Sequence, residues 1–517
     1  RSEKEVLYSI SEGLMVRRNE LGDVAIADDD GAVWRLYRRT AADPQVLRLA
    51  SLSDEYGNAL EMGWDEQARL VRIHDAPLAI DVTLHYDDKQ HAQRPTSASH
   101  FDGEQQWPLT HWTYNEQGQL ASVTDAAGVV SRRFRYNDDG LMVWHQLPGG
   151  LESEYRWQKL DHWRVVENRT NTGDGCHMHY DLDAGITRVS TYDGQQREHH
   201  WNAAGLITCF IDERGETWRY EWDENELLTR RIDPLGNAVS FTYDDLGNRV
   251  EEKDADGGVQ AVQWLSHRSL PTVVAGADGA TTKYYYDPHH GLERVADALG
   301  QSTFYKRDEF GLVVEEIDAA GNSYRREFND AGQVIRETDC SGLTTRYRYH
   351  PLGWLSCVTA PDGEETRYHY DAAGRPVLLE RAEGWEERLR WSDNGLPLAH
   401  ESADGKRSEF RYDNVGRLIA NRNAQGETVQ RSWDSRGRLT ALQNENGEQY
   451  QFEWGADSLL LAQVGLDGVA TRYEYDAAGR TLSRTFAAGH PQAITHRYHW
   501  SRAGQLLART TPEGQTR

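Results

Sequence analysis

The sequence is poor in the residues and patterns that mark several common protein classes. It has only four cysteines in 517 residues, Cys176, Cys209, Cys340 and Cys357, and no Cys-x-x-Cys pair. This pattern excludes a zinc ribbon and a dense disulfide framework, and it leaves the disulfide status of the four cysteines open. No apolar stretch approaches the roughly 20 residues of a transmembrane helix.

Basic residues are also few relative to acidic ones. The chain has 57 Lys and Arg against 83 Asp and Glu, which gives a formal net charge of −26. Because phosphate binding needs a basic surface, we do not expect a nucleic-acid partner. The aromatic content is high, with 17 Trp and 25 Tyr. This content argues against a disordered chain.

One motif, Tyr-Asp-x-x-Gly-Arg, recurs at a spacing of 21 residues and reads YDAAGR from both Tyr370 and Tyr475. An aromatic residue occupies its first position from Tyr114 to Trp500, and only Arg307 breaks the series. Internal repeats of this length predict a stacked array. The aromatics that we predict to be structural anchors of the repeat are Tyr243, Tyr286, Tyr349, Tyr370, Trp391, Tyr412, Trp433, Trp454 and Tyr475.

Each repeat alternates with the period of two that is typical of β-strands. In TTRYRY (344–349), Thr345, Tyr347 and Tyr349 share one face, and a turn signal follows at HPLG (350–353). Two strands and two glycine-containing turns per repeat predict a long antiparallel meander. The glycines that we expect in tight turns are Gly236, Gly247, Gly353, Gly374, Gly416, Gly437 and Gly479.

Three all-β architectures use such a unit. A propeller is disfavoured because about twelve blades would exceed the usual four to eight. A parallel β-helix is disfavoured because two hairpin turns per repeat fit antiparallel pairing better. We therefore expect a meander curled into the wall of a hollow shell, since roughly forty strands at about 4.8 Å spacing make a very long ribbon. We predict a continuous repeat shell over residues 111–517 and an irregular cap, plug or link, with degenerate repeats, over residues 1–110.

The motif strongly resembles the YD repeats of the Rhs (rearrangement hotspot) family, which also occur in toxin-complex C components and in teneurins. YDAAGR at Tyr370 and Tyr475, YDNVGR at Tyr412 and WDSRGR at Trp433 carry the resemblance, which covers about residues 114–517. The resemblance implies a β-shell, or β-cocoon, wound from hairpins. In bacterial members the shell encloses a toxic C-terminal domain until delivery.

What the resemblance implies for function is a non-catalytic encapsulating scaffold of a secreted polymorphic toxin, of the kind that type VI secretion delivers in bacterial competition. The implied partners are the toxic domain and the remaining repeats of the same polypeptide, and a spike protein or chaperone that contacts residues 1–110. The implied location is bacterial, with secretion or delivery from the cytoplasm into a target cell. We expect no cofactor.

The self-cleaving signature of the family, which runs through Asp-Pro-x-Gly-Leu, is missing. DPLG at Asp233 and HPLG at His350 occupy ordinary turn positions and are followed by Asn237 and Trp354. We therefore expect a segment of a longer wall, with the self-cleaving end and the toxin elsewhere. No residue here is predicted to be catalytic, and no enzyme motif is present.

Two patterns are compatible with metal sites. In GCHMHYD (175–181), His177 and His179 share a strand face, but no carboxylate lies at a ligand spacing, and a surface pair explains them better. The doublets His199–His200 and His289–His290 are weaker still. DDDG (28–31) and DADGG (254–258) lack the downstream ligands of a calcium loop and read as hairpin turns.

The aromatic series leaves one alternative function open. Exposed aromatics stack on sugars, so an extracellular adhesion or carbohydrate-binding protein is the second hypothesis. Regular spacing favours wall packing, because a ligand site seldom needs nearly every copy. We expect the departures from the repeat to mark contacts, plugs or irregular loops: Arg307, WQKLDHW (157–163), WLSHRSLP (264–271) and the insertion 487–491.

Overall fold

Alternation of side chains along each repeat produces strands throughout the chain. The computed structural model describes residues 7–19, 21–28, 30–40, 44–77 and 79–516. These residues form 48 strands and one 3₁₀ turn, Ala382–Gly384, with no α-helix among them. All the described strands belong to one antiparallel sheet, so the prediction of an all-β meander is confirmed.

The strands are short, and most have five to seven residues. In the first third of the chain they are β1 Leu7–Ser9, β2 Leu14–Arg18, β3 Val24–Asp28, β4 Trp34–Arg39, β5 Leu47–Ser53, β6 Ala59–Trp64, β7 Leu70–Asp75, β8 Asp81–His85, β9 Ser97–Phe101, β10 Gln106–Tyr114, β11 Leu120–Asp125, β12 Val130–Tyr136, β13 Met142–Gln146, β14 Glu152–Lys159, β15 Trp163–Thr170 and β16 Gly175–Asp181.

Strands in the middle third are β17 Ile186–Thr191, β18 Gln196–Trp201, β19 Ile207–Ile211, β20 Thr217–Trp222, β21 Leu228–Ile232, β22 Ala238–Tyr243, β23 Arg249–Lys253, β24 Val259–Leu265, β25 Arg268–Ala275, β26 Thr281–Tyr286, β27 Leu292–Ala296, β28 Ser302–Arg307, β29 Val313–Ile317, β30 Ser323–Phe328, β31 Val334–Thr338 and β32 Thr344–Tyr349.

The last third contains β33 Leu355–Thr359, β34 Glu365–Tyr370, β35 Pro376–Arg381, β36 Trp385–Trp391, β37 Pro397–Glu401, β38 Arg407–Tyr412, β39 Leu418–Arg422, β40 Thr428–Trp433, β41 Leu439–Gln443, β42 Gln449–Trp454, β43 Leu460–Val464, β44 Ala470–Tyr475, β45 Thr481–Phe486, β46 Ile494–Trp500, β47 Leu506–Thr511 and β48 Gly514–Thr516.

Burial follows the alternation that the sequence predicts. In β32, Thr345, Tyr347 and Tyr349 are half-buried, whereas Arg346 and Arg348 on the other face are exposed. The same pattern recurs in β20, β26, β28, β30, β34 and β40. Each of these strands therefore presents one packed face and one solvent face.

Small side chains make up much of the buried core. Cys357, Ala399, Ala420 and Ala462 are 3–6% exposed, and they lie at multiples of 21 residues from one another. Each small residue faces a long polar side chain in the register of its hairpin, as Ala420 faces Arg411. The aliphatic stem of a long side chain can cover a small neighbour while its charged end stays in water. In these later repeats the buried positions are therefore small, whereas the large buried side chains Trp34, Trp144 and Phe241 lie earlier in the chain.

The chain divides into two compact units. One unit consists of residues 1–129, 242–252 and 259–386, and the other of residues 130–241, 253–258 and 387–517. Both units are thus built from segments that are distant in sequence. The predicted boundary near residue 110 stays a prediction, and strand β10 runs across that position as part of a regular hairpin with β11.

Candidate functional site

The turn after most of the anchors is closed by the aspartate that follows the anchor. The Oδ1 atom of Asp371 accepts the backbone N–H groups of Ala373 at 2.9 Å and Arg375 at 3.0 Å. The N–H of Gly374 donates to the Asp371 carbonyl at 3.0 Å. A carboxylate that bonds two following amides fixes the hairpin loop without help from elsewhere in the chain. The seven glycines predicted in these turns have φ between +80° and +96°.

The arginine of the motif joins one turn to the next. The Nε atom of Arg438 donates to Asp434 Oδ2 at 2.7 Å, and its Nη1 atom donates to the Gly455 carbonyl at 2.7 Å. Arg417 does the same with Asp413 and with the carbonyl of Asp434, and Arg480 bridges Asp476 and the carbonyl of Ser501. Charge-assisted hydrogen bonds are roughly twice as strong as neutral ones. Each of these arginines therefore links its own turn to the next turn on the same side of the sheet. We call these Asp–Arg–carbonyl links the staples.

Partial burial strengthens these staples. The side chains of Arg417 and Asp413 are each about 20% exposed. Burial raises the pKa of the Asp413 carboxyl, but the backbone N–H and the guanidinium of Arg417 outweigh that effect, so the pKa lies below its ordinary value. The carboxylate is thus held in its charged form, which is the form that the staple needs.

All nine predicted anchors end a strand and are half-buried. In at least six of the nine, the polar atom donates to a carbonyl of the preceding strand: the hydroxyl of Tyr370 donates to the Leu355 carbonyl at 2.6 Å, and Trp433 Nε1 donates to the Leu418 carbonyl at 3.0 Å. In each case the acceptor lies 15 residues earlier. The same bond is made by Trp64, Trp157, Tyr180, Trp222, Trp264, Tyr286, Tyr349, Trp454 and Tyr475.

The register of the strands shows why a long donor is needed there. Pairing between β33 and β34 ends at Cys357↔Arg367, so the two strands are not paired at Leu355. A register shift immediately before Tyr370 accompanies this gap. The phenol ring spans the gap, and its hydroxyl satisfies the carbonyl that strand pairing leaves. Burial raises the pKa of the Tyr370 hydroxyl, as expected for a donor inside the packed layer.

Arg307 preserves the donor where the aromatic series breaks. Its Nη2 atom donates to the carbonyl of Leu292, again 15 residues earlier, at 3.2 Å, and Nη1 donates to the Gly311 carbonyl at 2.7 Å. A guanidinium thus replaces the hydroxyl or indole N–H of the other copies. Arg307 also lines a cavity of about 440 Å³ together with Tyr56 and Asp287.

A cluster of polar residues lies beside this cavity in the first unit, and one of them, His289, lines it. The cluster is centred on Glu55 in the turn between β5 and β6. The carboxylate of Glu55 is paired with Arg268 and with His290, and its backbone carbonyl is 2.9 Å from His289 Nδ1. The side chains of Glu55 and Arg268 are 18% and 13% exposed. We call Glu55, Arg268, His289 and His290 the Glu55 cluster. Partly buried charges of this kind need partners, and each of these charges has one.

Tyr56 extends the cluster. Its hydroxyl donates to Asp287 Oδ2 at 2.7 Å, and its ring stacks on His289 with centroids 5.0 Å apart. Burial and the bond to Asp287 raise the pKa of Tyr56 to about 12. In addition, Asn58 Nδ2 donates to the Phe310 carbonyl at 2.8 Å. The turn 54–58 therefore forms hydrogen bonds with two turns that lie more than 200 residues later in the chain.

Contacts at a sequence separation of 243 residues recur in each unit. In the second unit, Asn414 Nδ2 donates to Asn171 Oδ1 at 3.1 Å, and Arg436 Nε pairs with Asp193 Oδ2 at 2.6 Å. In the first unit, the rings of Trp107 and His350 meet edge to face at 4.8 Å. We call these pairs the seam contacts.

His350 occupies the position that aspartate has in the repeat turn. Its Nδ1 atom accepts the backbone N–H of Leu352 at 3.1 Å, as the aspartate oxygen does in other copies. The ring also stacks on Trp354 at 4.8 Å. Burial lowers the pKa of His350, and Asp102 opposes that effect. The turn thus depends on a neutral imidazole.

Other sequence-based candidates are not brought together. His177 and His179 are both exposed, and the Glu167 carboxylate is 3.9 Å from His177. Across the described ranges, no group of three or more His, Cys, Asp or Glu could hold a metal ion. The four cysteines are free, and in the structured part of the chain no helix is long and apolar enough to cross a membrane.

The two runs that resemble calcium loops are occupied by protein contacts. Asp28 accepts Arg35 at 3.1 Å, and Asp254 closes its own turn by accepting the Asp256 and Gly258 amides. Asp29 lies outside the described residues. The described carboxylates Asp28 and Asp254 are therefore bonded within the protein, as expected for hairpin segments.

The Glu55 cluster was only partly foreseeable. Arg307 and the segment 264–271 stood out as departures from the repeat, and both contribute to this region through Arg307 and Arg268. Glu55 and Tyr56 gave no signal of their own, because an ordinary turn between two strands contains them. The residues on the later turns were thus detectable, and their earlier partners were not.

Comparison with known proteins supports the repeat assignment. Residues 33–274 match the Teneurin YD-shell family, and residues 328–363 and 353–384 match the RHS Repeat family. The double-stranded DNA deaminase toxin A of Burkholderia cenocepacia (strain H111) is 34% identical over 171 residues, which are 32% of this chain and 12% of the toxin. Toxin protein Tse5 of Pseudomonas aeruginosa is 29% identical over 209 residues, which are 35% of this chain and 15% of that protein.

A solved structure extends the likeness to nearly the whole chain. The TcdB2–TccC3–TEV crystal structure superposes with a TM-score of 0.67 over 95% of this chain and 36% of the other, at 13% identity. At that identity the superposition shows the fold. The chain spans well under half the length of these relatives. The YD motif, its turn and anchor geometry and the matches to both repeat families identify the chain as one built from YD repeats of the Rhs type.

Proposed function

We propose that this chain is part of the wall of an encapsulating shell and that it works without catalysis. Its role is to keep a toxic domain of the same polypeptide away from the producing bacterium until delivery. The observation that carries this proposal is that the hairpins are linked in both directions. Most of the anchors donate a hydrogen bond to the preceding strand, and the motif arginines donate to the next turn. A wall needs this kind of continuous lateral connection.

The anchor geometry favours a wall over a sugar-binding platform. A ring that stacks on a sugar has to present its face to solvent, whereas the anchors are half-buried and the polar atoms of most of them are already bonded to carbonyls. Cross-strand packing of aromatics contributes about 0.2–1 kcal/mol per pair, and many copies add up. The adhesion hypothesis therefore loses the feature that suggested it, although a Teneurin YD-shell match keeps it worth testing.

The nature of the cargo is inferred from the relatives. Two proteins similar to this chain are named as toxins, one of them a DNA deaminase. We infer a bacterial protein that is delivered into a target cell, with type VI secretion as the route. We further propose that residues 1–110 link the shell to a delivery protein or chaperone, and that the self-cleaving end and the toxin belong to other parts of the polypeptide.

Protease protection in the intact natural protein tests this proposal. We expect the toxic domain to resist a protease that digests it rapidly after the shell is denatured. Tyr475→Ala removes an anchor and should shorten the time for which the toxic domain resists the protease. Tyr450→Ala, at a tyrosine that is 37% exposed, should leave that time unchanged. Electron microscopy of the same sample should show density inside a closed wall.

Two outcomes would contradict the proposal. Equal digestion of the toxic domain before and after denaturation would show that the wall does not enclose it. Sugar binding by the intact protein that Tyr475→Ala abolishes would instead favour adhesion, because the anchor would then be a ligand contact.

A further inference from the structure

Two histidines from neighbouring turns meet beside the Glu55 cluster. His267 lies in the short turn between β24 and β25, and His290 lies in the turn between β26 and β27. Their Nε2 atoms are 3.3 Å apart, and the planes of the two rings are inclined by 68°. Both residues belong to the first unit.

The other ring nitrogen of each histidine has an oxygen partner. His290 Nδ1 is paired with the Glu55 carboxylate, and His267 Nδ1 is 3.3 Å from the Ser266 hydroxyl. A carboxylate on Nδ1 holds the proton there and leaves the lone pair of Nε2 free to bind outwards. This carboxylate–histidine arrangement is the usual support of a histidine that binds a metal.

The distance between the two nitrogens matches the requirement of one ion. With Zn–N bonds of about 2.0–2.1 Å and a tetrahedral angle, two nitrogen ligands lie about 3.3–3.4 Å apart. A direct N–H···N hydrogen bond is the competing explanation, and 3.3 Å is long against the usual value of about 2.9–3.0 Å for an N–H donor. The separation thus favours a shared ion.

The backbone at His290 adds a second observation. His290 occupies the turn position that glycine has in most repeats, and its φ is +62°. A residue with a Cβ is less stable than glycine in this conformation. Ala68, Glu226 and Ser458 show that other residues are tolerated in equivalent turns. The turn can therefore fold with histidine at position 290, and the histidine provides an imidazole that glycine would not.

We propose that His267 and His290 bind one divalent transition-metal ion, with Zn²⁺ as the reference ion. Imidazole nitrogen suits Zn²⁺, Ni²⁺ and Cu²⁺ better than Ca²⁺ or Mg²⁺. Water completes the coordination, since the described residues hold no group of three ligands. A cavity of about 200 Å³, lined by His290, Asp30 and Asp54, lies beside His290.

The ion would act as a clip. It joins the turn at His267 to the turn at His290, and Glu55 connects the pair to a turn more than 200 residues earlier in the chain. Metal binding to the folded form alone stabilises that form by mass action. Zinc should therefore raise the temperature at which the first unit loses its structure.

Calorimetric titration of the EDTA-treated chain with Zn²⁺ tests the site. We expect one ion per chain and a loss of affinity of at least about tenfold in His267→Gln and His290→Gly. His290→Gly restores the glycine of the repeat, so it should fold at least as well as the wild type without metal. His179→Gln removes an exposed histidine elsewhere and is the matched control.

Glu55→Gln separates the support from the ligands. It should weaken zinc binding by about tenfold and lower the thermal stabilisation by zinc, while circular dichroism without metal stays unchanged. Zinc binding that is absent in the wild type, or equally tight in His267→Gln and His290→Gly, would overturn the proposal and leave a simple hydrogen bond between the rings. Loss of binding in His179→Gln alone would likewise overturn it.

Discussion

Gly374 tests whether the repeat turn needs glycine for its backbone or for the space beside it. At φ +80°, a Cβ at this position would lie 2.7 Å from Cε2 of the Trp354 indole. Gly342 has nearly the same conformation, with φ +82°, and a Cβ there would meet nothing within 4 Å. Both turns make the same backbone hydrogen bonds. The two glycines therefore differ mainly in the neighbouring side chain.

The expected magnitudes follow from that difference. Alanine at a left-handed position costs roughly 1–2 kcal/mol, and the reduced freedom of the unfolded chain returns about 0.4–1 kcal/mol. Gly342→Ala should thus lower the free energy of opening by about 1 kcal/mol. Gly374→Ala should cost a further 1–3 kcal/mol or so, as for overpacking in a core. The indole cannot move freely because it stacks on His350 and packs at an angle of 45° against the Tyr370 ring.

Hydrogen exchange is the appropriate assay, because repeat arrays can open locally without unfolding throughout. The amides of residues 374 and 342 donate to Asp371 and Asp339, so their exchange reports on the two hairpins. Equal protection losses in both alanine variants would refute the role of the indole. Wild-type protection in both would refute the hairpin turns themselves, and Gly374→Val or Gly416→Val should then also be harmless.

Three further predictions use the same exchange measurement and thermal unfolding. Tyr370→Phe should cost about 1 kcal/mol through the lost bond to a carbonyl, while Tyr368→Phe, whose hydroxyl bonds no described residue, should be neutral. Arg438→Lys should lower the free energy of unfolding by about 1–2 kcal/mol, because an ammonium group cannot bridge two turns as the planar guanidinium does. An unchanged stability would show that this bridge contributes no more than a surface contact. Burial holds the pKa of His350 below its ordinary 6.5, so the unfolded chain binds more protons, and stability should fall as the pH drops through that value. His350→Asn keeps an acceptor without a titrating ring, and an equally steep fall in this variant would exclude His350 as the cause.

The fold was predictable from the sequence because each repeat makes its hydrogen bonds within its own turn or to a neighbouring one. Aspartate, glycine and arginine of one motif bond within a turn or to the next one, so their identities recur with the repeat. The first hairpins were harder to recognise, since their motifs are degenerate. Trp64 nevertheless donates to the Leu49 carbonyl, 15 residues earlier, like the later anchors. In this part of the chain the hydrogen bond of the anchor is thus kept although the sequence motif is degenerate.

The contacts between distant turns could not be predicted. Glu55, Asp193 and Asn171 occupy ordinary turns, and nothing in a local pattern states which later turn will lie against them. The pairing at such contacts depends on the accumulated twist of many strands. Local chemistry sets the strands and turns, whereas accumulated geometry sets these partners.

The seam contacts constrain how the chain can change in evolution. Asn171 and Asn414, like Asp193 and Arg436, are separated by 243 residues. Loss of one 21-residue repeat between them would leave every hairpin intact, yet it would bring each later turn opposite the wrong earlier one. Point substitutions in a repeat are therefore local events, whereas a change in repeat number shifts the register of all the seam contacts that enclose it. Selection can act on the count of repeats even where each repeat is individually replaceable.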